Sequence, residues 1–339
     1  MCAVLLALPI FPQTDTAYQE TVTVVRYLVD VRVTDAAGRA ITDLKPEEFS
    51  AKIGKEVAFV ESATWVGSSG TTAVAVLDQT SEDFGRLIEE PQGRLIVLFI
   101  QTDFGRNAPR ITGHLAFNPI ADQIIRMLEP NDRVAVLQHD SHLKVRLDFS
   151  LDRQAIRRAV RDSIRIEKVP MPEMAIGYSL VRHLNQAAMR DSVSTESSLL
   201  LIASALRELE GSKLIILAGW GLGETQGGRL VARRDALGVL HRDKVPVISV
   251  STGMVGGSLT PGMRAIGVAT GGAYAGSTQQ FPQQTMVRVA GALAGYYELA
   301  LRSNAVLDSG RYPLSVVSAR RGSVVNAPPF VIVDQLGQD

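Results

Sequence analysis

Leu95-Ile-Val-Leu-Phe-Ile100 is a run of consecutive apolar residues, and this run decides the fold. A strand that is apolar at every position must be covered on both faces, as the strands of a parallel sheet between two layers of helices are. Three further apolar runs follow at 133–138, 213–218 and 245–251, with helical patterns between them. Strands that alternate with helices favour parallel pairing through right-handed crossovers. The sequence therefore predicts a doubly wound α/β domain with a mostly parallel sheet over residues 94–295.

The segments on either side of this domain show a different pattern. Apolar and polar residues alternate over 21–34 and again over 297–302, which is typical of antiparallel strands with one buried face. We interpret residues 20–66 and 296–333 as two parts of one accessory antiparallel β-sandwich, because each part alone would leave unpaired edges and a half-covered apolar face. Residues 67–93, which begin with glycine, serine and threonine, are predicted to form a linker.

The composition excludes several classes of partner. Lys and Arg together number 35, as do Asp and Glu, so the formal net charge is zero. A neutral chain without a stripe of cationic residues offers no long-range field for nucleic acid or anionic membranes. No apolar run approaches the roughly 18 residues that a membrane-spanning helix needs. We therefore expect neither a nucleic-acid partner nor a membrane span.

The first residues bear on cellular location. Residues 1–19 contain an apolar stretch as long as the core of a signal peptide, without basic residues before it or a clear cleavage site after it. We interpret them as a truncated signal peptide, with an N-terminal tail as the alternative. The expected location is secreted or periplasmic, with a cytoplasmic location as the alternative. The single cysteine, Cys2, excludes a disulfide within the chain and a zinc site made of several cysteines.

Several short stretches, in a characteristic order, carry a family resemblance. They are Val31-Arg-Val-Thr-Asp-Ala-Ala-Gly38, Pro130-Asn-Asp-Arg-Val-Ala-Val136, Gly211-Ser-Lys-Leu-Ile-Ile-Leu217, Ala269-Thr-Gly-Gly-Ala-Tyr274 and Ala294-Gly-Tyr-Tyr-Glu-Leu299. With them the chain resembles the von Willebrand factor A-related proteins abundant in acidobacteria, over about residues 21–333. The resemblance implies a von Willebrand factor A-like, Rossmann-like sheet with helices on both faces.

The functional centre of that family is a metal-ion-dependent adhesion site at the carboxyl ends of the strands. Its usual motif is Asp-x-Ser-x-Ser after the first strand, with an Asp after the fourth, and these supply the oxygen ligands that Mg²⁺ requires. Here the first motif aligns with Gln101-Thr-Asp103-Phe-Gly105, and Trp220 stands after the fourth strand. Gln101, Asp103 and Gly105 are therefore degenerate positions. The resemblance implies an adhesion site that has lost its metal and uses no other cofactor.

Other motifs point to no enzyme. The family's Thr on a later loop aligns loosely with the hydroxyl residues near Thr195 and Ser197. The glycine-rich stretch 219–223 lacks the Gly-x-Gly-x-x-Gly spacing of a dinucleotide loop. His139-Asp-Ser-His142 is spaced like a zinc pair, yet it lies at a predicted hairpin tip without a third ligand, so a solvated turn is the simpler interpretation. No Gly-x-Ser-x-Gly elbow occurs. We expect no catalytic residues and no small-molecule substrate.

The expected function is a non-catalytic, exported protein–protein interaction or adhesion module with an unknown protein partner, as the resemblance implies. The alternative is a structural or assembly subunit that uses the domain as a scaffold. Loops 102–112, 170–195 and 219–228 are predicted to converge at the carboxyl edge of the sheet. Asp103, Phe104 and Trp220 are the candidate partner-binding residues, because tryptophan is enriched in binding hot spots. The alternative for Trp220 is that it fills the space of the lost metal site.

Overall fold

The computed structural model describes residues 26–67, 93–103, 108–165, 169–223, 227–253, 260–303 and 307–333. The strands are β1 (Arg26–Thr34), β2 (Phe49–Ile53), β3 (Glu56–Gly67), β4 (Leu95–Gln101), β5 (Arg133–His139), β6 (Leu143–Ser150), β7 (Lys213–Gly219), β8 (Val247–Ser251), β9 (Ala273–Ser277), β10 (Gly295–Ser303), β11 (Gly310–Ser318), β12 (Val324–Asn326) and β13 (Phe330–Val333). The α-helices are α1 (Ala108–Met127), α2 (Arg153–Asp162), α3 (Gln186–Asp191), α4 (Thr195–Arg207), α5 (Gly227–Arg242), α6 (Thr260–Ala269) and α7 (Pro282–Leu293). Short 3₁₀ turns occur at Pro46–Glu48 and Val181–His183.

The described residues form two sheets, and the first has six strands in the order β6-β5-β4-β7-β8-β9. All neighbours pair in parallel except the edge strand β6, which is antiparallel to β5. The apolar run of β4 is explained by packing on both sides. Leu95, Val97 and Phe99 face a core shared with α3–α6, whereas the alternate residues Ile96 and Leu98 face a core shared with α1, α2 and α7. This is the doubly wound α/β arrangement that the resemblance implies, although the sheet is mixed rather than wholly parallel.

The strand order also determines where a ligand crevice forms. Counted within this sheet, the order is 3-2-1-4-5-6, and the direction of winding reverses between β4 and β7. Loops that leave the carboxyl ends of those two strands diverge to opposite faces, which opens a crevice between them. Gln101 ends β4 and Gly219 ends β7, so Gln101, Asp103 and Trp220 lie at this switch point.

Strands from both ends of the chain form the second sheet. Its order is β12-β1-β10-β3-β2-β11-β13, and every described pair is antiparallel. We expected a two-layered sandwich, but the structure has one sheet that curls around a single core. At its centre Tyr297 makes edge-on contacts with Phe49 and Trp65, with ring centroids 5.3 and 5.1 Å apart, and its hydroxyl accepts a hydrogen bond from Leu44 N. Residues from all seven strands of this one sheet pack in or against that core, so no second sheet is needed to cover it.

The curled sheet packs against the C-terminal end of α7. Arg32 on β1 donates from Nη1 to Gly271 O at 2.7 Å and from Nε to Ala292 O at 3.3 Å. Arg94 donates to Leu293 O at 2.7 Å. These guanidinium groups satisfy carbonyls at a helix end, where positive charge is favoured by the helix dipole. Both arginines therefore bind carbonyls at the end of α7, and Arg32 also binds the carbonyl of Gly271 after α6.

Helix α1 begins earlier than the sequence indicates. The prediction of a loop over residues 102–112 places the start of any helix after residue 112. The structure continues the helix back to Ala108, through Gly113 and Pro119. A β-carbon at Gly113 would lie 1.6 Å from Thr252 O, so the glycine permits close packing of α1 on the loop after β8. Most of the predicted loop 102–112 that is described is thus helical, and this part of the prediction is wrong.

The carboxylate of Asp152 caps α2 by accepting hydrogen bonds from Gln154 N and Ala155 N. Across the described part of the chain, no helix is both long and apolar enough to cross a bilayer.

Candidate functional site

Gln101 joins the two central strands at the switch point. Its side chain is only 3% exposed, and Oε1 accepts hydrogen bonds from Trp220 N at 3.0 Å and Gly221 N at 3.2 Å. A β-carbon at residue 219 would lie 2.6 Å from that oxygen, so glycine is needed there for the close approach. The amide that stands where the family has its first aspartate thus holds the loop after β7.

Asp103 and Trp220 contact each other directly. The indole Nε1 of Trp220 donates to Asp103 Oδ1 at 2.7 Å, and the guanidinium carbon of Arg110 lies 3.4 Å from the centroid of the Trp220 ring. Arg110 also donates to Asp103 O at 3.1 Å. All three side chains are half-buried. Trp220 therefore neither projects freely into solvent nor fills the core, and it presents part of its surface beside a carboxylate and a guanidinium.

Glu196 is a third side chain that holds the same loop. It belongs to the first turn of α4, is 2% exposed, and accepts a hydrogen bond from Gly223 N at 2.7 Å. The hydroxyl residues expected near this position act in the helix cap, where Ser194 and Ser197 exchange side-chain and backbone hydrogen bonds. Thr195 is buried. Sequence reasoning missed Glu196 because it looked for a hydroxyl ligand, and it missed Arg110 because it placed that residue in a loop.

The chemistry of these donors does not fit a hydrated Mg²⁺ ion. Of the oxygens at this edge, Gln101 Oε1 is neutral and already accepts two backbone hydrogens, Asp103 Oδ1 accepts from an indole, and Trp220 has no side-chain oxygen. No group of three or more His, Cys, Asp or Glu side chains in the described ranges is arranged to hold a metal. A phosphate does not fit either, because the backbone hydrogens of Gly221 and Gly223 that could bind it are donated to Gln101 and Glu196.

A serine–histidine contact lies deeper in the same edge. His139 Nδ1 is 2.9 Å from Ser198 Oγ, and the Ser198 hydroxyl donates to Ser192 Oγ at 3.2 Å. His139 is 2% exposed and Ser198 is fully buried, so no substrate reaches the hydroxyl. The interpretation of 139–142 as a solvated turn is therefore wrong for His139, which ends β5 inside the core. It is right for His142, whose ring contacts Ser141 Oγ within an exposed turn.

Helix α1 brings a second buried histidine close to the site. His114 lies one helical turn after Arg110 and is fully buried. Burial lowers the pKa of His114 to about 4, because the protonated imidazole would lose its hydration. The ring is therefore neutral at neutral pH and lies on the buried face of α1, with Gly113 and Phe117.

Only some of the predicted site residues converge. Asp103 and Trp220 are in contact, whereas Phe104 and Gly105 lie outside the described residues. Of the predicted loop 170–195, the last part reaches the carboxyl edge, where Ser192 Oγ accepts from Leu143 N. Its first part does not, because Asp148, in the body of β6, accepts hydrogen bonds from Ala175 N, Ser179 Oγ and Leu180 N.

Comparisons with known proteins give limited likeness. No family model and no curated protein matches the chain. Among solved structures, BatB from Bacteroides thetaiotaomicron is 10% identical, over 58% of this chain and 97% of that one, with a TM-score of 0.38. The vWF domain of the type V pili tip protein Mfa5 from Porphyromonas gingivalis is 15% identical, over 38% of each chain, with a TM-score of 0.27. Proximal thread matrix protein 1 from the mussel byssus, with a zinc-occupied MIDAS motif, is 14% identical, over 60% of this chain and 48% of that one, with a TM-score of 0.38.

The chain thus spans less than half the length of the pilus tip and byssus proteins. Identities and TM-scores this low carry no inference about function, and the assignment of the fold rests on the strand order described above.

Proposed function

We propose that this chain is a non-catalytic protein–protein interaction or adhesion module, exported to the periplasm or the medium, that binds a protein partner without a metal ion. The observation that carries the proposal is the cluster of Asp103, Trp220 and Arg110 at the switch point of the sheet. Half-buried aromatic and arginine side chains held in place by neighbours are the usual composition of binding hot spots. Phe104, the next residue along the chain, is included in the proposed contact surface.

Direct hydrogen bonds replace the metal in this proposal. In a metal-ion-dependent site, the cation draws together loops from different strands. Here Gln101, Asp103 and Glu196 fasten the loop after β7 through its backbone and its indole. A loop organised in this way needs no cation to keep its shape. We infer that the contact with a partner is made by the indole and the adjacent charged groups.

The loss of the metal has a direct test. Binding to the folded state raises the melting temperature by mass action. We expect millimolar Mg²⁺ or Mn²⁺ to leave the melting temperature of the protein unchanged. The positive control restores the family's ligands with the substitutions Gln101→Asp, Asp103→Ser, Gly105→Ser and Trp220→Asp, and it should gain a Mg²⁺-dependent rise. A rise in the unaltered protein that Asp103→Ala removes would contradict the proposal.

The alternative is a structural or assembly subunit in which this domain is only a scaffold. One observation favours it. Arg110 covers a face of the Trp220 ring, and this contact is also what packing within a scaffold would produce. The two functions differ in what they require of Trp220. If the chain is an interaction module, removal of the indole abolishes binding of the partner. If the chain is a scaffold, the partner still binds as long as the variant folds.

Affinity capture separates the two functions. The tagged protein is used to capture partners from envelope and medium fractions of the source cells, alongside Trp220→Ala and the control Phe59→Ala. Phe59 is an aromatic residue that is 59% exposed on the curled sheet, far in the chain from the switch point. We expect a partner captured by the protein and by Phe59→Ala to be lost with Trp220→Ala. Equal capture by all three would favour the scaffold. Detecting the protein only in the cytoplasm would refute export.

A further inference from the structure

An apolar tip lies between α2 and α3, in the described residues 174–177. Ile176 at this tip is 97% exposed, and Met174 nearby is 58% exposed. Isolated apolar residues on a surface are ordinary, but an isoleucine exposed to this degree buries almost no apolar surface within its own chain. The next residue, Gly177, has a φ of +84°, which favours glycine and turns the chain sharply after the tip.

One buried carboxylate holds this tip in place. Asp148 is 4% exposed and lies on β6, the edge strand of the six-stranded sheet. Its Oδ2 accepts from Ala175 N at 3.0 Å and Ser179 Oγ at 2.6 Å, and its Oδ1 accepts from Leu180 N at 2.8 Å. The two ends of the tip are therefore bonded to the same side chain. The entropy of ordering this loop has already been lost on folding, which favours its use in binding.

A groove lies beside the tip. It has a volume of about 590 Å³ and an apolar lining that includes Met171, Pro172, Val181 and Leu184. Its rim carries one acidic and one basic side chain, Glu173 and Arg182, which are both exposed. Within the described ranges, neither forms an ion pair. Met174, two residues before Ile176, also lines the groove, so the tip, the groove and the two opposite charges are close in the chain.

We propose that this surface, residues 171–186, is the interface of a symmetric homodimer. The Ile176 tip of each copy enters the groove of the other copy, and Glu173 of each copy pairs with Arg182 of the other. A two-fold interface uses the same patch on both subunits, so the patch must be complementary to itself. This surface is self-complementary, because it carries both an acid and a base and both an apolar tip and an apolar groove. A different protein as partner would not require that this chain carry both members of each pair.

The size of the surface determines how strong the dimer is. A single loop with its neighbouring turn supplies fewer residues than the roughly 20–30 per side found in stable interfaces. The association is therefore weak, with a dissociation constant above about 1 µM. The surface is also separate from the Trp220 cluster, which lies at the switch point between β4 and β7, so a dimer presents two copies of that cluster.

Sedimentation velocity over a wide range of concentrations tests the proposal with the full chain. We expect the protein to shift from monomer to dimer, and Ile176→Asp to remain a monomer. The control Val268→Asp places the same charge on an exposed position of α6 and should dimerise like the unaltered protein. Because Ile176 and Val268 are exposed, both variants should keep the melting temperature.

Charge exchange then tests the pairing itself. Glu173→Arg alone and Arg182→Glu alone place like charges across the two-fold axis and should each weaken the dimer about tenfold or more. The double variant Glu173→Arg/Arg182→Glu restores opposite charges and should restore the dimer. A protein that stays monomeric throughout, or a dimer that survives Ile176→Asp, overturns the proposal. Failure of the double variant to recover overturns the pairing of Glu173 with Arg182.

Discussion

At the scale of single residues, the side chain of Gln101 organises the switch point. One amide oxygen accepts two adjacent backbone hydrogens from the loop after β7, and the absence of a side chain at Gly219 makes room for it. The same position in the resembling family is an aspartate that faces a metal. An amide is neutral, so it can be buried beside Asp103 and Glu196 without adding a further negative charge. Gln101 therefore suits a site built from hydrogen bonds.

The stability of the protein should depend on that amide. Gln101→Ala leaves two buried N–H groups without their acceptor, and we expect the free energy of unfolding to fall by about 2–4 kcal/mol. Urea denaturation monitored by tryptophan fluorescence measures this loss. The control is Gln154→Ala on the exposed face of α2, which should change the stability by no more than about 0.5 kcal/mol. A loss for Gln101→Ala as small as that of the control would show that the loop is held by other contacts.

At the scale of elements, α1 connects the site to the core of the six-stranded sheet. It carries Arg110 beside Trp220 at its start and the buried His114 one turn later. The pKa of His114 is about 4 in the folded protein, below its ordinary value of 6.5. Between these two values the unfolded chain binds a proton that the folded chain does not. Stability is therefore complete above pH 6.5 and is lost as the pH falls towards 4.

This difference predicts a pH dependence that can be assigned to α1. Between pH 7.5 and pH 4.5 we expect the protein to lose up to about 3 kcal/mol of stability through His114 alone. His114→Leu should reduce the slope of unfolding free energy against pH, while the exposed His183→Asn should leave it unchanged. Some slope remains in His114→Leu, because burial also lowers the pKa of His241 to about 4. Equal slopes in the unaltered protein and in His114→Leu would contradict the assignment.

Much of the element structure could be predicted from sequence. The buried strands are rich in apolar residues, and their lengths leave no room for helices, so the sequence predicts β4, β5, β7 and β8. The start of α1 could not be predicted from the sequence, because Gly113 and Pro119 both lower helix propensity. Only the packing of Gly113 against the carbonyl of Thr252, a contact between residues distant in sequence, explains the helix.

The candidate site was predictable to the same extent. The carboxyl ends of β4 and β7 had to meet once the strand order was known, so the proximity of Asp103 and Trp220 follows from topology. Arg110 and Glu196 depend on where α1 and α4 begin, and a shift of a few residues moves a side chain to another face of a helix. The curvature of the antiparallel sheet depends on how its edges meet, which alternation of residues does not encode.

At the scale of the whole molecule, Arg32 links the curled sheet to the α/β part. It is 7% exposed, and burial lowers its pKa to about 10, yet its hydrogen bonds to Gly271 and Ala292 are to neutral carbonyls. Its charge is favoured by Asp30 and by the ring of Tyr296, whose centroid lies 5.5 Å from the guanidinium carbon. A cation is tolerated there because helix α7 ends at Leu293, where the dipole is negative.

Removing this cation should loosen the link between the two parts. Arg32→Met keeps the apolar stem and leaves two buried carbonyls without donors, so we expect a loss of about 2–4 kcal/mol. Scanning calorimetry should show one transition for the unaltered protein and a lower, broader one for Arg32→Met. Arg26→Met, on an exposed ion pair of the same strand, should cost no more than about 1 kcal/mol. A sharp, unshifted transition for Arg32→Met would show that the link does not rely on the guanidinium.

The pairing of Gly67 with Gly295 has a mechanical consequence. β3 ends and β10 begins at these opposed glycines, so the chain leaves for the α/β part and returns from it at the same end of two neighbouring strands. A tensile force on that part draws both strands along their axes in one direction. This force acts on two outer strand pairs, β10 with β1 and β3 with β2. Their interstrand hydrogen bonds are perpendicular to the strands and therefore to the force. The force loads these bonds in shear, all together, and does not break them one after another. A tensile load applied to the α/β part is therefore carried by these two ladders in shear.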